Sequence, residues 1–283
     1  MPEQFANING INICYEIIGK GYPLVLIHGF GDRKEHFRAQ IGDLSKHFQV
    51  IRFDNRGAGK SDRPSGPYTM EIYAKDLNGL LEFLKIEKAN LAGHSLGGMI
   101  LLNFVLMFPK KVSKLVLINT IPRITPPGVD PSQGLESYKK NAIEDLKARK
   151  SDPIKFFLSH AKHSYSRDFW KQMNENPRKK FHGIWSVEDL VEEKTINGPT
   201  EEDIINQTAG LRSHNVYDRL GDIKQPVLIL AADKDRSCPK LISENMHELI
   251  PNSQLFVLKN AAHQSILEYP HKINQLIIKF LKS

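Results

Sequence analysis

The amino-acid sequence predicts an α/β fold, a mostly parallel sheet flanked by helices, with a helical insertion before its last strands. Three observations predict it. Short apolar runs alternate with longer stretches of helical spacing, the pattern of β-α-β units. A glycine-rich turn, Gly93-His94-Ser95-Leu96-Gly97-Gly98, stands between one such run and a helix. The rhythm stops at Ile121 and resumes at Pro226.

Taken in order, Ile11 to Ile17 alternates like a strand, and Leu24 to Ile27 is a continuous apolar run suited to a strand covered on both faces. Gln49 to Phe53 repeats that signal. Thr69 is placed to cap a helix in which Ile72, Tyr73, Leu77, Leu80, Leu81 and Leu84 recur at intervals of three and four. Asn90 to Gly93 reads as a short strand, Gly97 to Phe108 as a buried helix stopped at Pro109, and Lys114 to Ile118 as a further buried strand. Residues 121–219 open with Pro122, Pro126, Pro127 and Pro131 and carry both tryptophans, Trp170 and Trp185. Their remaining pattern is helical, so they read as a small subdomain inserted into a core of residues 1–120 and 220–283. Val227 to Leu230 and Gln254 to Leu258 restore the strands, His263 follows in a loop, and Ile273 to Leu281 is an amphipathic closing helix.

With 283 residues, 40% hydrophobic and 25% charged, the composition is that of an ordinary globular protein, which excludes disorder, collagen and coiled coil. Cys14 and Cys238 alone allow neither a disulfide framework nor a four-cysteine zinc site, and a reduced, cytoplasmic setting is expected. No basic leader with an apolar run and no membrane-length apolar stretch occurs, so no membrane association is expected. The net charge of +7 raises nucleic acid as a partner. Its distribution argues against that: residues 139–180 hold twelve basic and five acidic side chains, whereas 188–203 hold seven acidic ones against Lys194. Two solvated helical faces that attract one another explain both stretches.

The sharpest chemical signal is the G-x-S-x-G turn. A strand-to-helix turn with serine at its apex brings the chain so close to its neighbours that only small flanking residues fit, and Gly93 and Gly97 supply them. Ser95 then sits at a helix N-terminus, where free N–H groups favour negative charge and the Leu96 N–H is a natural oxyanion donor. Gly59-Lys60-Ser61 looks like the end of a phosphate-binding loop, but Asp54 occupies the position of its first glycine and Pro64 opposes the required helix. His160, His163, His182 and His214 have no acidic or cysteine partner at metal-ligand spacing and read as helix-surface residues.

These motifs, in this order, resemble the α/β-hydrolase superfamily, over nearly the whole chain outside the insertion. The resemblance implies an eight-stranded, mostly parallel sheet with residues 121–219 as a helical lid. His28-Gly29-Phe30-Gly31 is similar to the family's His-Gly loop, which implies a second oxyanion N–H from Phe30 beside that of Leu96. Asp54 to Asp62 is similar to a family segment of mainly structural role. Eleven histidines compete for the base; the resemblance selects His263, while His94 is expected to pack beneath the turn, because neighbouring side chains at a sharp turn point apart. The family's Gly-x-x-Asp turn becomes Ala232-Asp233-Lys234-Asp235, so its spacing selects Asp235 as the acid over Asp233.

The implied activity is that of a cofactor-free, metal-free serine hydrolase acting on a small-molecule ester or lactone, similar to carboxylesterases and enol-lactonases. Ser95 in place of aspartate argues against dehalogenase and epoxide hydrolase chemistry. A carbon-carbon bond hydrolase, a haloperoxidase-like enzyme and a small-ligand receptor with little turnover are alternatives with the same triad. Trp170 and Trp185 are candidates for the substrate-binding wall, because large aromatic rings shape apolar pockets, with packing inside the lid the alternative for each.

Overall fold

Strands form wherever an apolar run finds cover on both faces. The computed structural model describes residues 2–126, 128–148 and 152–283, which excludes Pro127, Arg149 and Lys150 of the stretches noted above. Its strands are β1 (Gln4–Ile8), β2 (Ile11–Ile18), β3 (Pro23–Ile27), β4 (Gln49–Phe53), β5 (Ala89–His94), β6 (Val112–Ile118), β7 (Val227–Ala232) and β8 (Ser253–Leu258). They make one sheet in the order β1-β2-β4-β3-β5-β6-β7-β8. Only β1–β2 and β2–β4 pair antiparallel; the remaining pairs are parallel.

The helices are α1 (Arg38–Leu44), α2 (Met70–Phe83), α3 (Leu96–Met107), α4 (Ser132–Ala148), α5 (Pro153–Ser164), α6 (Arg167–Glu175), α7 (Val187–Thr195), α8 (Glu201–Leu211), α9 (Lys240–Leu249), α10 (Ser265–Glu268) and α11 (Pro270–Lys282). Alternate side chains of each strand serve opposite layers. Val25, Ile27 and Ile51 pack with Leu77 and Leu80 of α2 and Ile100 of α3. Leu24, Leu26 and Val50 pack with Leu44 of α1 and Ile273 and Ile277 of α11. Thr69 caps α2 as expected, its hydroxyl accepting from the Ile72 N–H at 3.3 Å.

Strand β1 and helices α1, α9 and α10 are additions to the sequence reading. Strand β1 turns only Ala6 and Ile8 inward, too few apolar positions to register as a strand. Helix α1 has no side-chain cap, and α10 spans four residues.

Between β6 and β7 the inserted residues form α4 to α8. Trp185 is fully buried there, with ring centroids of Phe181 at 5.0 Å and Phe169 at 5.8 Å. Its neighbours Leu158, Met173 and Tyr165 join the layer that also holds α11, so inserted helices and core share one apolar interior. The opposite charges do meet, through Arg178–Glu188 at 2.8 Å and Lys147–Glu201 at 3.8 Å. Other acids of that stretch turn instead to core arginines: Glu193 to Arg38, and Asp203 to Arg63 at 2.9 Å. Truncating Trp185 to Ala leaves a cavity where the inserted helices join the core. It is expected to cost about 3–5 kcal/mol of stability, measured by urea unfolding.

Candidate active site

In a sheet of this topology the loops after the parallel strands emerge along one carboxyl edge, where ligands bind. Ser95 follows β5 there with φ 53° and ψ −117°, a conformation costly for any residue with a side chain. The turn is clamped on both sides. Ser95 N–H donates to Ile118 O at 2.9 Å, and Thr120 Oγ1 donates to Ser95 O at 2.8 Å. A Cβ on Gly97 would collide with the Ile27 carbonyl, and one on Gly93 would stand 2.5 Å from the Gly97 main chain. The glycines therefore permit the backbone approach that the serine's position requires.

His263 follows β8 and Asp235 follows β7. His263 Nδ1 lies 2.8 Å from Asp235 Oδ2, and the Asp235 side chain is wholly buried. Asp235 Oδ1 accepts from the Ser237 and Cys238 N–H groups at 2.8 and 2.9 Å. Of the two competing aspartates only Asp235 touches the ring; Asp233 pairs at 3.7 Å with Lys234. The His263 carbonyl accepts from Asn119 Nδ2 at 2.7 Å and stands 2.8 Å from His94 Nε2. His94 is buried beneath the turn, with its ring centroid 4.9 Å from that of His263. Ser95 and His263 line one cavity, and no direct hydrogen bond joins their side chains.

Opposite Ser95 runs His28-Gly29-Phe30-Gly31. The Asn55 N–H donates to His28 Nε2 at 3.0 Å, so Nδ1 carries the hydrogen and donates to Gly29 O at 2.9 Å. The Gly31 N–H donates to Gln207 of α8 at 3.1 Å. Among the described residues neither the Phe30 nor the Leu96 N–H has a protein acceptor, and both residues line the cavity. Asp54 accepts from the Lys34 N–H at 2.8 Å and the Lys60 N–H at 3.0 Å, so its loop is folded around a carboxylate and not open to phosphate.

The cavity holds about 590 Å³. Met99, Ile121, Ile124, Leu135, Tyr138 and Leu211 form its apolar wall, and Tyr138 of α4 meets the Phe30 ring edge-on at 5.1 Å. Neither tryptophan lines it. Trp185 is consumed by packing among inserted helices, while Trp170 donates its Nε1–H to Leu158 O at 2.7 Å and borders an outer groove. Sequence reasoning could count aromatic rings but not tell which face of the insertion turns to the sheet.

It also gave no contact to Asn119, noted only as leaving no acid at the end of the earlier strand, and no role to Glu268. Buried Glu268 accepts from the Ala262 N–H at 3.0 Å and the Ser166 N–H at 3.2 Å, and Gln264 N–H donates to Ser164 O at 2.8 Å. Burial raises the Glu268 pKa.

Asp235, Cys238 and His263 bring potential metal-ligating atoms within 4.8 Å of one another, but a metal there would have to break the Asp235–His263 hydrogen bond. Glu3, Glu16 and Glu35 form a second such group, already answered by Lys34 and by Arg52. His160 does gain an acidic neighbour, Asp145 at 2.9 Å, while His214 lies apart, buried against Ile121 O and Asn103. No helix among the described residues is long and apolar enough to cross a membrane.

Residues 22–270 match the sequence profile of the alpha/beta hydrolase fold. The chain belongs to this family. It is 28% identical over 277 residues to the AB hydrolase superfamily protein YisY of Bacillus subtilis, covering 96% of each chain. Two solved structures share the fold. The enol-lactonase of Burkholderia xenovorans superposes with a TM-score of 0.81 at 23% identity, over 99% of this chain and all of that one. The esterase of Thermogutta terrifontis gives 0.80 at 24% identity, over all of this chain and 98% of that one.

Burial depresses several histidines of this hydrolase. His36 is pushed down to about 4, His94 lies well below its ordinary value, and His28 and His214 are lowered. The unfolded chain therefore binds protons near pH 6.5 that the folded chain refuses, so stability falls as pH drops from about 6.5 toward 4. Carboxylates held low by cations, such as Glu3 at about 2, add their loss only at lower pH. Urea unfolding at intervals across that range should show the midpoint declining before the carboxylates held low by cations titrate.

Proposed function

We propose that the chain is a serine hydrolase that cleaves a carboxylic ester or lactone through an acyl-enzyme. The observation that carries the reading is the Asp235–His263 hydrogen bond of 2.8 Å, facing the same cavity as a serine at a strained strand-to-helix turn. Ser95 attacks the acyl carbonyl while His263 Nε2 takes its proton and later returns it to the leaving group. Asp235 holds His263 Nδ1 protonated and stabilises the imidazolium. The Phe30 and Leu96 N–H groups receive the oxyanion, and water releases the acyl group. No cofactor is needed for any of these steps. Residues 121–219 act as a lid that closes the cavity and supplies much of its wall. The enol-lactonase and esterase of the same fold lend support to the substrate class.

The test is turnover of p-nitrophenyl esters and of an enol-lactone, with labelling by a fluorophosphonate. Ser95→Ala should abolish labelling and lower kcat by about 10⁴ to 10⁶, and unchanged turnover would sink the reading. Asp235→Asn should cost about 10⁴ by favouring the wrong tautomer, while Asp233→Asn should leave rates near wild type. Because Leu135 and Tyr138 border the cavity, Leu135→Trp should shift the ester chain-length optimum toward shorter acyl groups with labelling retained. Trp170→Ala should leave that optimum where it was.

A further inference from the structure

Behind His263 two more histidines are buried in line, and the carbonyl at the end of that line fixes the tautomer of the nearer one. His94 Nε2 lies 2.8 Å from the His263 carbonyl oxygen, which can only accept, so Nε2 carries the hydrogen. Nδ1 of a neutral His94 is then a bare acceptor. His36 Nε2 stands 3.2 Å from it and His36 Nδ1 lies 3.3 Å from Asp32 Oδ2, so the single hydrogen of a neutral His36 can be donated to His94 or to Asp32 but not to both. Burial keeps both rings neutral at neutral pH, and the Asp32 charge is met at 3.1 Å by Lys194 of α7. Besides these, His28, Arg38 and His263 are the charged or titratable groups around the pair.

The arrangement has a mechanical meaning because His94 is the residue before Ser95. Its hydrogen bond refers the main chain of His263 to the same strand end that carries the nucleophile. Asn119, at the end of the neighbouring strand β6, donates to the same oxygen at 2.7 Å, so both of that oxygen's lone pairs are engaged. A shift of His94 to the Nδ1–H tautomer would set a lone pair against the His263 carbonyl.

We infer that His94 is a positioning residue for His263, held in the Nε2–H tautomer by the His263 carbonyl itself, and that it sets the separation between nucleophile and base. The inference rests on the reading of His263 as the base of a serine hydrolase. It differs from a packing role, in which ring volume alone would suffice.

His94→Phe keeps ring volume and removes the hydrogen bond to the His263 carbonyl, whereas His94→Gln keeps an N–H donor at comparable reach. For a p-nitrophenyl ester, His94→Phe should lower kcat by about 10- to 100-fold with KM within about twofold, as a misplaced catalytic group does. His94→Gln should recover most of that loss. Nitrogen-15 NMR of histidine-labelled wild-type protein at pH 7 should show Nε2–H and bare Nδ1 for His94. Wild-type kcat in folded His94→Phe, or a protonated Nδ1 on His94, overturns the inference. If His94→Phe does not fold, the tautomer measurement on the wild type decides. Wild-type protein that neither turns over esters nor takes a fluorophosphonate at Ser95 would instead overturn the hydrolase reading, and the positioning role with it.

Discussion

Everything at the carboxyl edge depends on holding one serine in a backbone conformation it would not choose. A side chain at φ 53° costs on the order of 1–3 kcal/mol, and the cost is met by contacts from both neighbouring strands. Strand β6 contributes the Ile118 carbonyl and, just beyond it, the Thr120 hydroxyl. Strand β3 comes so near that Gly97 has no room for a Cβ beside the Ile27 carbonyl. This is why β5 must lie between β3 and β6, and why the loops after those strands converge on the serine. The sheet order and the geometry of the turn are one constraint seen at two scales.

A pattern with a short repeat is readable from one dimension. Buried runs such as Leu24 to Ile27 and Val227 to Leu230, the Thr69 cap, and the glycines around Ser95 each depend on neighbours a few positions away. Structure and sequence agree on all of them. The selection of Asp235 over Asp233 required the spacing of a family turn, and the ring of His263 meets the former. What stayed hidden are polar ties across the chain: Asn119 to His263 over 144 positions, His36 to His94 over 58, Ser166 to Glu268 over 102. No local pattern announces such a pair, because each partner alone is an ordinary polar residue.

The tryptophans illustrate a related limit. Size and apolarity are intrinsic to the residue, whereas facing the cavity belongs to the helix that bears it. In this insertion α4 and α8 border the Ser95 cavity, through Leu135, Tyr138, Ile204 and Leu211, while Trp170 and Trp185 sit on or near elements that pack among α5 to α7. The charge pattern followed the same course. Attraction between the basic and acidic stretches is present, but part of the acidic stretch is spent on Arg38 and Arg63 of the core.

Those attachments bear on how such a protein can be rebuilt. The stretch between β6 and β7 invites treatment as an interchangeable cassette, joined to the sheet at the carboxyl end of β6 and the amino end of β7. Here Glu268 and Gln264, from the segment after His263, grip the main chain at Ser166 and Ser164, deep inside the cassette. A graft that omitted this junction would leave a buried carboxylate with fewer partners and the histidine loop unanchored on one side. The practical seam for chimaeras thus encloses residues 262–268 together with the insertion, two stretches separated in sequence yet inherited as a single part.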